Sequence, residues 1–172
     1  MPTMRQLNED YLSTYRYASR KLYEGIGPHW GSLVQMLSAI ILYPMTHEEG
    51  HRTILNSKGI GSVSRPYWDL KTGAAYVNGV RDSELKNLRD TDFPSYIRLH
   101  TAGIESDYII ALRIKTLTVF EQDKRSYLFN DWMIRKFGVI AYYSSLMGAA
   151  RRSEFHYKQR KIWSCRRSVG QV

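Results

Sequence analysis

ILYPMTHEEGHRTIL, residues 41–55, joins an uncharged apolar run to a cluster of reactive side chains. Two histidines and a glutamate stand one helical turn apart in MTHEEGHRTIL (45–55). Polar, reactive groups beside an apolar segment are costly and are usually retained for a function. Upstream, Gly25 to Thr46 is 22 residues without Asp, Glu, Lys or Arg. About 20 mainly apolar residues can cross a bilayer. Here Gly25, Gly27, Pro28 and His29 spoil the start and Pro44 the end. The helical part, about 30–43, has the length of a buried core helix or a re-entrant segment. Trp30 and Tyr43 at its ends suit an interface, so membrane association is the expectation.

Outward from this stretch, residues 5–23 read as an amphipathic helix, with Leu7, Tyr11, Tyr15, Ala18 and Leu22 at three- and four-residue steps. GIGPH (25–29) ends it. Pro44 can open a new helix carrying the histidines, which should stop near Asn56–Gly59. IGSVSRPYW (60–68) and AAYVNGV (74–80) read as two short strands joined around DLKTG. Asp82 or Ser83 can cap a short helix through Leu88. A long helix starts at Pro94, with Ile97, Ile104, Tyr108, Leu112 and Leu117 as its buried stripe. A last helix runs from about Tyr127 into 137–150. The fold class is mainly α (α+β): a helical bundle with a small β-hairpin between the HEEGH helix and a second ligand-bearing helix.

The 172 residues suffice for one domain with a core. The net charge of +9 is uneven. Residues 149–172 hold seven Arg/Lys and one Glu; residues 1–148 hold 18 basic and 15 acidic groups. The domain reading is therefore 1–150 as one helical metallopeptidase-like unit, membrane-associated and open to being incomplete. Residues 151–172 are a basic tail, which either touches nucleic acid or anionic lipid or is a non-native, disordered end. Cys165, the single cysteine, excludes an intramolecular disulfide and any Cys-rich zinc site. The polar N-terminus lacks the apolar region of a cleavable signal peptide.

His47-Glu48-Glu49-Gly50-His51 matches HExxH. On a helix, positions i and i+4 share a face, so both imidazoles can reach one metal ion. Neutral imidazole binds zinc at about 2.0–2.1 Å. Glu48 then lies beside the metal, placed to take a proton from zinc-bound water and to return it to a leaving amine. A catalytic zinc takes three protein ligands. RLHTAGIESDYII (98–110) offers His100, Glu105 and Asp107 around a small Ala-Gly pair that permits close helix approach.

HEEGH resembles the motif of the zincin metallopeptidases, and its glycine is similar to the HExGH form of membrane-bound metalloproteases. The resemblance covers these five residues and a third ligand in HTAGIESDY (100–108). It implies a zinc-dependent, membrane-associated peptidase that hydrolyses peptide bonds through metal-activated water. His47 and His51 would be zinc ligands and Glu48 the general base. Glu105 would be the third ligand, with Asp107 orienting an imidazole; Asp107 and His100 are the alternative ligands. Glu49 and Arg52 are charged where soluble zincins usually are not, and would face solvent or pair. The implied partners are a peptide or protein substrate and membrane lipid, with nucleic acid ranked last. The implied location is a cell or inner membrane, otherwise the cytoplasm. The alternative is a non-enzymatic helical membrane or interaction protein, HEEGH being a chance match or a structural metal site. AAYVNGV could also lay a peptide along its edge near the metal.

Overall fold

The computed structural model describes residues 2–65, 76–120 and 127–144. The chain divides into two units, Met1–Lys136 and Phe137–Val172. The first is mainly helical. It contains α1 (Met4–Ser57), β1 (Val63–Arg65), β2 (Tyr76–Asn78), α2 (Asp82–Thr91) and α3 (Phe93–Phe120). It also holds the start of α4 (residues 129–144). Of the second unit only residues 137–144, the helical end of α4, are described. The expected basic tail, 151–172, and the end of the last expected helix lie outside the described residues.

α1 is two helical arms. Thr3 opens the first: its Oγ1 accepts from the Gln6 N–H at 3.3 Å, and its own N–H donates to Gln6 Oε1 at 2.8 Å. This reciprocal pairing satisfies donors that a helix start leaves orphaned. Gly27 separates the arms at φ 81°, ψ 169°, a conformation open to glycine alone among ordinary residues. Pro28 follows where a missing N–H costs nothing. The second arm folds back antiparallel on the first, and Tyr15 Oη donates to the Gln35 carbonyl at 3.1 Å. The break at GIGPH is where the sequence places it.

Pro44 does not start a new helix. The second arm runs through it to Ser57. Proline there deprives the Ile40 carbonyl of its N–H. Ile40 lies on the exposed face, where water can replace the donor. Thr46 Oγ1 adds bonds to the Leu42 and Tyr43 carbonyls just past the interruption. The helix then ends at a Lys58 cap, as expected for Asn56–Gly59.

α2 begins at Asp82 and runs three residues beyond Leu88. α3 begins one residue before Pro94, but its buried stripe is not the expected one. Ile104 and Leu117 are buried; Ile97, Tyr108 and Leu112 are about half exposed. The covered face instead holds Leu99, Ala102, Gly103, Ser106, Asp107, Ile110 and Ile114. Hydropathy spacing follows large apolar side chains, whereas this face carries small and polar ones where α3 meets α1.

Two apolar clusters fill the first unit. One joins Leu12, Tyr15, Ala39, Ile110, Ile114 and Leu128; the other joins Met4, Ile54, Leu55, Leu88, Leu99 and Ala102. Between them along α1 and α3 lies a polar belt of Asn8, Thr46, Ser106, Asp107 and, from α4, Asp131 and Arg135. The strands pair antiparallel over three residues each, with Ser64 opposite Val77. Their connection, residues 66–75, lies outside the described residues, so a complete hairpin is not among them.

No described helix is long and apolar enough to cross a membrane. The run expected to span is shortened by the Gly27 bend and carries Ser32, Gln35 and Ser38. Gln35 is fully buried, bonded to the Tyr127 carbonyl and Asn130. That is the pattern of a helix packed in a protein interior on one side.

Candidate metal centre

His47 and His51 sit on consecutive turns of the second arm of α1, with ring centroids 5.0 Å apart. Glu48 joins them: one ligand atom from each of the three residues lies within 4.8 Å of the others. Among the described residues this is the group that could hold a metal ion. Each imidazole is held at Nδ1. His47 Nδ1 is 2.6 Å from Asp107 Oδ2, and His51 Nδ1 is 2.6 Å from the Leu99 carbonyl. A carbonyl oxygen only accepts, so His51 must carry its proton on Nδ1; a carboxylate imposes the same on neutral His47. Both Nε2 atoms then keep their lone pairs, the form a metal requires.

Two glycines make this geometry possible. A Cβ at Gly50 would lie 2.6 Å from the Ala102 carbonyl oxygen. α1 and α3 therefore touch backbone to backbone. The His47 ring rests on Gly103, where a Cβ would overlap Nε2, Cδ2 and Cε1. The space that Gly103 leaves is where the metal-binding edge of His47 lies.

Behind His47 is a buried ionic network. Asp107 is fully buried, and its second oxygen is 2.8 Å from Arg135 Nη1, also fully buried. Arg135 Nε lies 3.1 Å from Asp131 Oδ1. Tyr11 Oη donates to Asp131 at 3.1 Å, and the guanidinium sits 4.9 Å from the Tyr11 ring centroid. Thr46 Oγ1 accepts from Arg135 at 3.0 Å. Two carboxylates face one guanidinium. With both ionised, the network carries one excess negative charge in a low-dielectric interior, and a cation on the His47 side would offset it. Burial pushes Asp131 upward, partly opposed by Arg135.

Burial also raises the Glu48 carboxyl, partly opposed by His47 and by the Val77 N–H, to which it is hydrogen-bonded. β2 is thereby placed against Glu48. Burial lowers His51, as do charges on His47 and His100, while the Leu99 carbonyl pulls the other way. The His51 shift favours the neutral imidazole that a metal requires, and the Glu48 shift makes its carboxylate a stronger base than one in water.

Of the sequence candidates, His47, Glu48 and His51 come together. Asp107 reaches the site through His47 Nδ1. Glu105 is not brought to it. It pairs with Arg98 through both oxygens, at 2.7 and 3.1 Å, and lines a different cleft with Arg5 and Thr53. His100 is exposed, packs edge-on against Tyr96, and is near enough to His51 for its charge to act there. Glu49 and Arg52 pair with each other at 3.0 Å. Arg135, Asp131 and the Leu99 carbonyl were not singled out from the sequence, and Tyr11 was read only as part of an apolar helix face. For the first two a signal existed in the i, i+4 spacing of Asp131 and Arg135 inside an aromatic-rich helix start.

The donor set fits a metal cation: two imidazoles with their lone pairs freed, a neighbouring carboxylate and a glycine-made space. Comparison of the chain with family models, curated proteins and solved structures finds no match.

Proposed function

We propose that the chain is a zinc-dependent peptidase of the HExxH type. The observation that carries this reading is the convergence of His47, Glu48 and His51 with both Nδ1 atoms held by Asp107 and Leu99. His47 and His51 would hold the ion. His100, exposed and outside the close group but near His51, would be the third ligand, since Asp107 is engaged by His47 and Arg135 and Glu105 by Arg98. When bound, zinc supplies Lewis acidity and a lowered pKa for water. Imidazole and carboxylate donors suit zinc among the available cations.

Glu48 acts as the base. It takes a proton from the attacking water as the new C–O bond forms at the peptide carbonyl. It returns that proton to the amine nitrogen as the C–N bond breaks. Peptide and water thus give a carboxylic acid and an amine. Asp107 keeps His47 in one tautomer and one orientation. The extended backbone of β2, held to Glu48 through Val77, lies beside the base, and an extended peptide can add along such an element.

The test is hydrolysis of a quenched fluorescent peptide library by wild type and Glu48→Gln, each with its metal content measured. Zinc in both, with cleavage only by wild type, supports the reading. Equal cleavage by the two, or none by zinc-loaded wild type, contradicts it.

A further inference from the structure

The second arm of α1 has a face that the first unit leaves uncovered. Trp30, Leu33, Val34, Leu37, Ile40 and Ile41 are all exposed, Trp30 by 66% and Leu37 by 51%. Trp30, Leu33, Leu37 and Ile40 follow a 3-4-3 spacing, with Val34 and Ile41 widening the stripe on one side. This is the heptad pattern by which one helix packs along another. Beside the stripe, between the two arms, runs a groove of about 590 Å³ whose walls include Leu7, Tyr11, Leu22 and Val34. Ridge and groove are thus adjacent on one surface.

We propose that this face docks a second copy of the chain, as a two-fold homodimer. A ridge beside a groove is self-complementary under a two-fold axis: each copy lays its ridge in the other's groove. The six exposed side chains and the groove walls lie side by side as one apolar surface, the kind of core around which a standard interface of ~800 Å² per partner is built. Charge points the same way. A chain of net charge +9 repels its own copies except through a neutral face, and residues 25–46 carry no charged side chain. A helix lying in a lipid interface would instead carry Lys or Arg along its flanks. This one has none over that length, and the charged residue lining the groove is Asp10, which anionic lipid would repel.

The experiment is sedimentation equilibrium on the full chain at micromolar concentration, for wild type, Leu37→Glu and a control, Tyr17→Glu, at an exposed site on the first arm. The expected result is twice the 20.1 kDa chain mass for wild type and control, and a monomer of unchanged helical circular dichroism for Leu37→Glu. If Leu37→Glu does not fold, Leu33→Lys on the same ridge provides the second reading and should give a folded monomer. A wild type that stays monomeric overturns the proposal, as does a dimer indifferent to both substitutions. A monomer that co-floats with phosphatidylglycerol vesicles through this face overturns it in favour of lipid.

Discussion

His47 Nδ1 and Asp107 Oδ2 are 2.6 Å apart, and the same carboxylate holds Arg135 on its other oxygen at 2.8 Å. Asp107 therefore links the candidate metal centre on α1 to the buried charge network reaching α4. Removing its charge while keeping its shape separates the two roles. Asp107→Asn should fold and lose about 10–100-fold in zinc affinity, the usual cost of removing such an orienting partner. Competition against a chelating dye measures this. Unchanged affinity would remove Asp107 from the site.

Arg135 is completely buried between two carboxylates. Arg135→Met leaves Asp107 and Asp131 without a cation, which should destabilise the fold by ~3–5 kcal/mol in urea denaturation. Arg135→Lys should recover only part, because a lysine cannot reproduce a guanidinium that contacts Asp107, Asp131 and Thr46 together. Full recovery by lysine would show that charge alone matters there.

Gly50 and Gly103 should respond differently to alanine. At Gly50 the added methyl meets the Ala102 backbone, so the helices must part, at about 1–3 kcal/mol of stability. At Gly103 it meets the His47 ring, a side chain that can rotate away from Asp107. Gly103→Ala should therefore lose zinc binding out of proportion to stability. Thermal melting with and without zinc distinguishes the two.

Tyr11, Tyr15 and Tyr43 are held above the usual tyrosine value of 10.0, in each case chiefly by burial. Their folded-state values lie above their unfolded ones. The stability they contribute is complete below about pH 10 and is lost as pH rises past it, because the unfolded chain then ionises first. Tyrosinate absorbance should show three of the 13 tyrosines silent until a cooperative alkaline transition. Smooth titration of all 13 would contradict their burial.

Much of the helical plan and the HEEGH group was legible because each rests on local rules. Gly27 and Pro28 mark a bend whatever surrounds them, and the His47–His51 spacing defines a shared helix face. The phase of α3 was not legible. Leu112 and Tyr108 look like core by hydropathy, yet helices that approach through Gly50, Ala102 and Gly103 bury small residues and leave large ones outside. Nor was the role of Arg135. Its partners Asp107 and Tyr11 are 28 and 124 positions away, and only tertiary packing brings them together. The continuity of α1 through Pro44 depended on an exposed Ile40 carbonyl, another tertiary property. Glu105 was favoured as a ligand by analogy, but two helical positions from Gly103 place it on another side of α3, where Arg98 meets it.

The proposed peptidase stands on zinc binding by His47 and His51. Metal content, counted by elemental mass spectrometry on wild type and His47→Ala/His51→Ala purified without chelator, is the decisive measurement. One zinc per folded wild-type chain and none in the variant is the predicted result. A folded wild type that neither carries zinc nor takes it up would contradict the account, and HEEGH would then be a chance spacing on an ordinary helix.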